Sequence, residues 1–214
     1  MAESLRFPDM RYVRDFELFL RRFVALDGAG ALRLTTKRVH KQLVLGVTGC
    51  VLAPHSLLDD TPVILGVRGF KLAAGVEDLD AVYQLRALSE RLPRLAEPQL
   101  PLPPTETTSV WAGIAPPQTG WRAQGVVSAA SLSEVAKTGA QQIANALPEN
   151  PGELLVQKLR EEVWAREILP QVPAGAAFAL DTLGFLHGSS DVKLLSANGW
   201  LRLEAKGGSV LVRL

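Results

Sequence analysis

Cysteine is almost missing from this chain, one residue in 214, so no intrachain disulfide can form. That residue, Cys50, lies in an apolar run at 43–53 with no basic neighbour in sequence, which predicts a buried, unreactive thiol in a reducing compartment. Long hydrophobic stretches are missing too. The longest near-continuous one, 43–54, has 12 residues, whereas a membrane-spanning helix needs about 20. Charges interrupt the first fifteen residues, where a secretory core would lie. These absences predict a cytoplasmic protein with no membrane partner. An excess of one charge sign is equally scarce: 23 Lys and Arg against 22 Asp and Glu leave a net +1. A polybasic nucleic-acid binder is thereby disfavoured. At 47% hydrophobic and 21% charged, a disordered chain is excluded, because such chains cannot bury enough apolar surface to offset the entropy of ordering.

Chemistry-bearing motifs are also lacking. There is no GxSxG, GxxxxGK[ST], GxGxxG or HExxH, so no nucleophile elbow, phosphate cradle or zinc helix can be assigned. His40, His55 and His187 are the only histidines and lie far apart. His55 with Asp59 and Asp60 could offer metal ligands from one loop, but three polar residues in a turn are ordinary, and no metal or cofactor is expected. Asp181 is a lone carboxylate without a visible partner, a pattern that points to a solvent margin more than to catalysis. Arg33, Lys37, Arg38, His40 and Lys41 form a basic cluster without interleaved aromatics, read as a solvated face.

What is present is patterned for packing. After Asp9, residues Tyr12, Val13, Phe16, Phe19, Leu20, Phe23 and Val24 repeat at three- and four-residue spacing up to Gly28, an amphipathic helix with one core face. The runs 43–53 and 62–72 read as the two strands of a hairpin. A turn at Leu57 and Leu58 would set Gly46 opposite Gly69 and Gly49 opposite Gly66. Bare backbone of that kind suits close packing of a helix, or a ligand approaching the backbone. Asp78 caps an expected helix to Leu92, stopped by Pro93. Five prolines then fall between 93 and 104, composition that predicts an extended linker.

Beyond the linker, Ser131 and Glu134 have capping-box spacing ahead of a stripe from Leu132 to Leu147 that includes Gly139. Pro151 opens a helix to about Glu167, with Trp164 toward its margin. PAGAAFALDTLGFL is apolar on nearly every side and reads as a buried helix. At the C-terminus, Asn198-Gly199 and Gly207-Gly208 supply two hairpin turns joining three strands. In that register Lys193 opposes Glu204, and Leu194 opposes Leu203, which opposes Val212. The face opposite the core carries Leu195, Trp200, Arg202, Leu211 and Arg213, an interaction surface in which Arg202 and Arg213 are opposed.

The sequence thus predicts an α+β protein. A helix, hairpin and helix module occupies 1–97 and a Pro-rich linker 98–110. Three helices and a three-stranded antiparallel meander occupy 111–214, and the two modules are free to share one core. A winged-helix DNA reader has the same order of elements, but its third helix, 174–186, offers no Arg, Lys, Asn or Gln to base edges, so no nucleic-acid partner is expected. The segments APPQTGW, PAGAAFALDTLGFL and GWLRLEAKGGSVLVRL, within 111–214, resemble a group of uncharacterised actinobacterial proteins. That resemblance implies lineage and no activity. The function expected is a non-enzymatic protein-protein interaction or assembly role, with a homodimer formed through the outer face of the meander. The alternative is a small-molecule binder or enzyme using Gly46, Gly49, Gly66 and Gly69.

Overall fold

The computed structural model of the chain describes residues 3–54, 61–113 and 115–214. The loop with His55, Asp59 and Asp60, and the turn at Leu57 and Leu58, lie outside them. Two compact units form: Met1–Cys50 with Val67–Ala115, and Val51–Gly66 with Pro116–Leu214.

In the first unit β1 (Ser4–Arg6) leads into α1 (Met10–Leu26), and the Asp9 side chain accepts from the Arg11 N–H at 2.7 Å, as the sequence predicts for a cap. The buried face of α1 is Val13, Phe16, Phe19, Leu20 and Phe23. It meets β2 (Ala31–Val39), β3 (Gln42–Leu52) and β4 (Ile64–Leu72), with Phe16 edge-on to Phe70 at 5.2 Å and Phe19 at 5.7 Å from the same ring. In β2, Leu32, Leu34 and Thr36 turn inward. Thr36 is tolerated in that row because its hydroxyl donates to the Val76 carbonyl at 2.6 Å and accepts from the Leu79 N–H at 2.9 Å.

The helix expected from Asp78 to Leu92 is mostly a strand. Asp78 adopts φ 56° and turns the chain into β5 (Asp80–Gln84), which pairs antiparallel with β2; only α2 (Leu85–Ser89) is helical. Leu79, Ala81 and Tyr83 are the buried positions, a two-residue period that a search for large apolar residues misses at Ala81. The Pro-rich stretch contains β6 (Gln99–Pro101), paired with β1 so that Leu5 faces Leu100, both fully buried. Cys50 is half-buried.

In the second unit β7 (Arg122–Ser128) precedes α3 (Ala129–Ala146) and α4 (Glu153–Trp164). The short pair β8 (Glu167–Leu169) and β9 (Val172–Pro173) leads to α5 (Ala174–Thr182), which is buried as its composition predicts. Helix α3 begins at Ala129, so Ser131 and Glu134 sit inside it and not at its cap. Trp164, expected at a margin, is 2% exposed: its ring stacks on Phe178 at 4.5 Å and occupies the space that Gly139 leaves open on α3. Ser133 donates to Asp181 at 2.9 Å, which places that carboxylate in a helix-to-helix contact.

The meander follows as β10 (Asp191–Ala197), β11 (Trp200–Ala205) and β12 (Gly208–Arg213). Asn198 and Gly199 have φ of 43° and 77°, and Lys193 faces Glu204, as expected. The second turn is Lys206-Gly207, so Leu203 faces Val210 and Arg202 faces Leu211, not Arg213. Gly208 is needed in the strand because the Phe185 ring lies 2.5 Å from where its Cβ would be.

These elements overturn the expected helical modules with a three-stranded meander. Among the described residues there are twelve strands, eight of them in one antiparallel sheet in the order β5-β2-β3-β4-β12-β11-β10-β7. The unforeseen strands are short, polar or proline-bearing, or alternate through small and polar residues as in β5 and β2.

Candidate interaction surface

The sheet order puts β5 and β7 at its two ends, and a terminal strand presents unpaired backbone donors and acceptors to any strand that can reach it. The outer side of β5 is engaged: the Thr107 N–H donates to the Val82 carbonyl at 2.8 Å, and Gln84 Nε2 to Thr107 Oγ1 at 3.2 Å. Arg33 braces its inner side, its Nε and Nη2 donating to the Asp80 carboxylate at 2.6 and 2.7 Å. That guanidinium holds the Asp80 carboxyl below its ordinary pKa of 3.8. A carboxylate depressed in the folded state stabilises it above the unfolded pKa, and the contribution disappears as pH falls through the folded value. The Asp80 side chain is 54% exposed, so the effect is small. Urea midpoints of the native chain and Asp80→Asn should differ at pH 6, and the difference should shrink as pH falls below about 4; a difference that grows as the pH is lowered through that range would contradict this coupling.

The β7 edge is open. It pairs with β10 on one side, and among the described residues no strand flanks the other. Six of its seven residues are exposed, Val126 at 63%. A bulge at Gln124, opposite the Leu194 to Leu195 step, interrupts the register, and Gln124 Nε2 is held by Ser196 Oγ at 2.7 Å. Past the bulge, Gly125, Val126, Val127 and Ser128 carry no charge and no proline, the usual devices that keep an edge from pairing. A groove of about 350 Å³ runs beside it, lined by Val127, Leu169, Pro170, Leu194 and Leu201 among others.

The residues singled out from sequence fall elsewhere. Trp200 and Leu211 are each 5% exposed within the single chain, Leu195 is half-buried and Arg213 exposed. Arg202 pairs with Glu204 at 2.9 Å, donates to Ser209 at 3.2 Å and lies 5.9 Å from the centre of the Trp121 ring. Gly46 and Gly49 belong to opposite faces of β3. A Cβ at Gly49 would lie 2.5 Å from the Phe23 ring, and one at Gly46 would lie 2.7 Å from Thr35 Oγ1. Gly69 is exposed and would be in ordinary contact with Val44, and Gly66 is buried. The β7 edge was missed because RAQGVVS has no alternation; its only signal is a Val pair just before a helix.

No helix among the described residues is long and apolar enough to cross a membrane. Among the solved structures that share the fold are two bacterial ones. Caulobacter crescentus pol III beta is 7% identical, with a TM-score of 0.50 over 100% of this chain and 65% of that chain. The DNA polymerase III subunit beta from Pseudomonas aeruginosa is 10% identical, with a TM-score of 0.51 over 100% of this chain and 64% of that chain. This chain therefore spans just under two thirds of the length of either, and at such identities the likeness is one of fold alone. The expectation of no nucleic-acid partner gains no support from it. No curated protein matches this chain. Residues 116–214 match the family described as Domain of unknown function (DUF8185). Residues 1–113, more than half the chain, match the Domain of unknown function (DUF8010), and the protein belongs to that family.

Proposed function

We propose that the chain is a non-enzymatic assembly protein that forms a homo-oligomer, at minimum a dimer, by adding the open edge of β7 to the sheet of a second copy. The observation that carries this reading is a seven-residue terminal strand, exposed along almost its whole length and uncharged beyond its bulge. Strand addition satisfies the outward backbone groups, and Val126 supplies apolar area at the new seam. The fold likeness to a protein named as the DNA polymerase III subunit beta supports an assembly role. The net charge of +1 gives no long-range attraction to a polyanion.

Val126→Lys tests the reading. The wild type should sediment as a dimer or larger, and the variant, with a charge on the seam and its fold intact by circular dichroism, should associate about tenfold or more weakly. A wild type that stays monomeric at every accessible concentration would refute edge pairing.

A further inference from the structure

The backbone of β7 has a definite parity. The Ala129 N–H donates to the Ser190 carbonyl at 2.9 Å, and the register with β10 sets Val127 against Val192 and Gly125 against Leu194. Hydrogen-bonded and non-bonded pairs alternate along an antiparallel ladder, so the backbone groups of Gly125 and Val127 are spent on β10. Those of Val126 and Ser128 point to the open side. The bulge ends this regular stretch at one end, and α3, beginning at Ala129, ends it at the other. Side chains alternate with the same period. Gly125 and Val127 share the face that carries Leu194 and the buried Val192, whereas Val126 lies on the other face, across from Lys193. At Gly125 the first face has a gap, because an added Cβ would meet no atom within 4 Å. Val127 is half-buried, and both residues line the groove beside the strand. A hole and a knob therefore stand at equal distances on either side of Val126.

That spacing makes the strand complementary to itself run in reverse. We infer that two copies join antiparallel about a two-fold axis through Val126, each Val127 filling the space over the partner subunit's Gly125; this rests on the edge pairing proposed above. Centred there, the outward N–H and carbonyl of Val126 bond to the same groups of the second copy. An axis at Val127 would instead set the two valines against each other, leave both gaps empty and bring Gly125 against the start of α3, where the ladder ends. An axis at Gly125 would carry the ladder into the bulge. On the opposite face the seam runs Glu204, Lys193, Val126 and then the same three in reverse order. Lys193 is paired with Glu204 at 3.8 Å. At about 4.8 Å per strand the two lysines stand roughly 14 Å apart, so the seam brings no like charges together.

Cysteine replacements in the full chain test the axis, with the native chain, whose only cysteine is Cys50, as the control. Oxidised with copper phenanthroline, Val126→Cys should give a disulfide-linked dimer, since directly opposed residues have Cα atoms about 5.5 Å apart, within reach of the bond. Val127→Cys should not: its two copies are offset by two residues, roughly 7 Å along the strand, in addition to the spacing between strands. Val127→Ala empties both seats at once and should weaken the dimer about tenfold or more by sedimentation. A dimer that links through 127 and not 126, that links through neither, or that is unaffected by Val127→Ala overturns the Val126 axis while self-association stands. A native chain that stays monomeric at every accessible concentration overturns edge pairing itself, and this inference with it.

Discussion

Trp164→Ala is expected to cost the second unit about 3–5 kcal/mol, the range for deleting a large buried aromatic. The ring is 2% exposed, stacks on Phe178 at an interplanar angle of 22°, and fills the gap above Gly139. Its removal deletes apolar contact on both sides and leaves a void that neither neighbour can close without moving a helix. The same geometry predicts a change of sign. In the native chain Gly139→Ala would drive a Cβ into the Trp164 ring at Cζ3 and should destabilise by about 1–3 kcal/mol, outweighing the better helix propensity of alanine. In the Trp164→Ala background the methyl group has room, and the substitution should be neutral or stabilising by up to about 1 kcal/mol. Urea denaturation of the two single variants and the double variant measures this; additive losses would mean that the two residues do not share the space.

Gly49→Val should be nearly as damaging in the first unit, at about 3 kcal/mol or somewhat more. The Cβ alone would stand 2.5 Å from Phe23 Cε1 and 2.6 Å from Leu32 Cδ2, both from fully packed side chains. Phe23 is held edge-on to Phe19 at 5.2 Å, so moving its ring out of the way breaks that contact. Phe23→Ala should cost a similar amount alone, but combined with Gly49→Val the total should fall well short of the sum, because each substitution vacates or fills the same volume. If Gly49→Val melts within a degree of the wild type, α1 does not press on β3 as described.

Elements that bury one whole side could be read from sequence. Helix α1 was legible because its phenylalanines recur every three or four residues behind an aspartate cap, and α5 because almost nothing in it is polar. The first meander turn was legible because Asn-Gly tolerates positive φ at both positions. The failures share a cause. In β5 the inward residue Ala81 is too small to register as apolar, while Leu85 and Leu88 beyond it complete a false helical period. In β2 the inward row ends in Thr36, whose burial depends on a hydrogen bond it donates to Val76 and one it accepts from Leu79, both distant in sequence. The basic residues beside it stand out as a charged cluster and hide the alternation. The second turn was misplaced by one residue because glycine was expected to serve the turn. One of the two glycines instead makes way for Phe185. The candidate edge, β7, is exposed on both faces, so its sequence carries no record of burial at all.

The chain leaves the first unit within β3 and re-enters it within β4, lending residues 51–66 to the second. Ile64 from that loan would contact a Cβ at Gly175 at 2.8 Å, and the Val63 carbonyl accepts from the Arg213 N–H at 3.0 Å. The two family matches divide the sequence elsewhere, at 113 and 116. A gene segment encoding only the later match therefore lacks part of its own hydrophobic interior and two strand segments. Recombination at that junction would transplant an incomplete body. Co-expressed as separate polypeptides, the halves can complete the second unit only by finding each other.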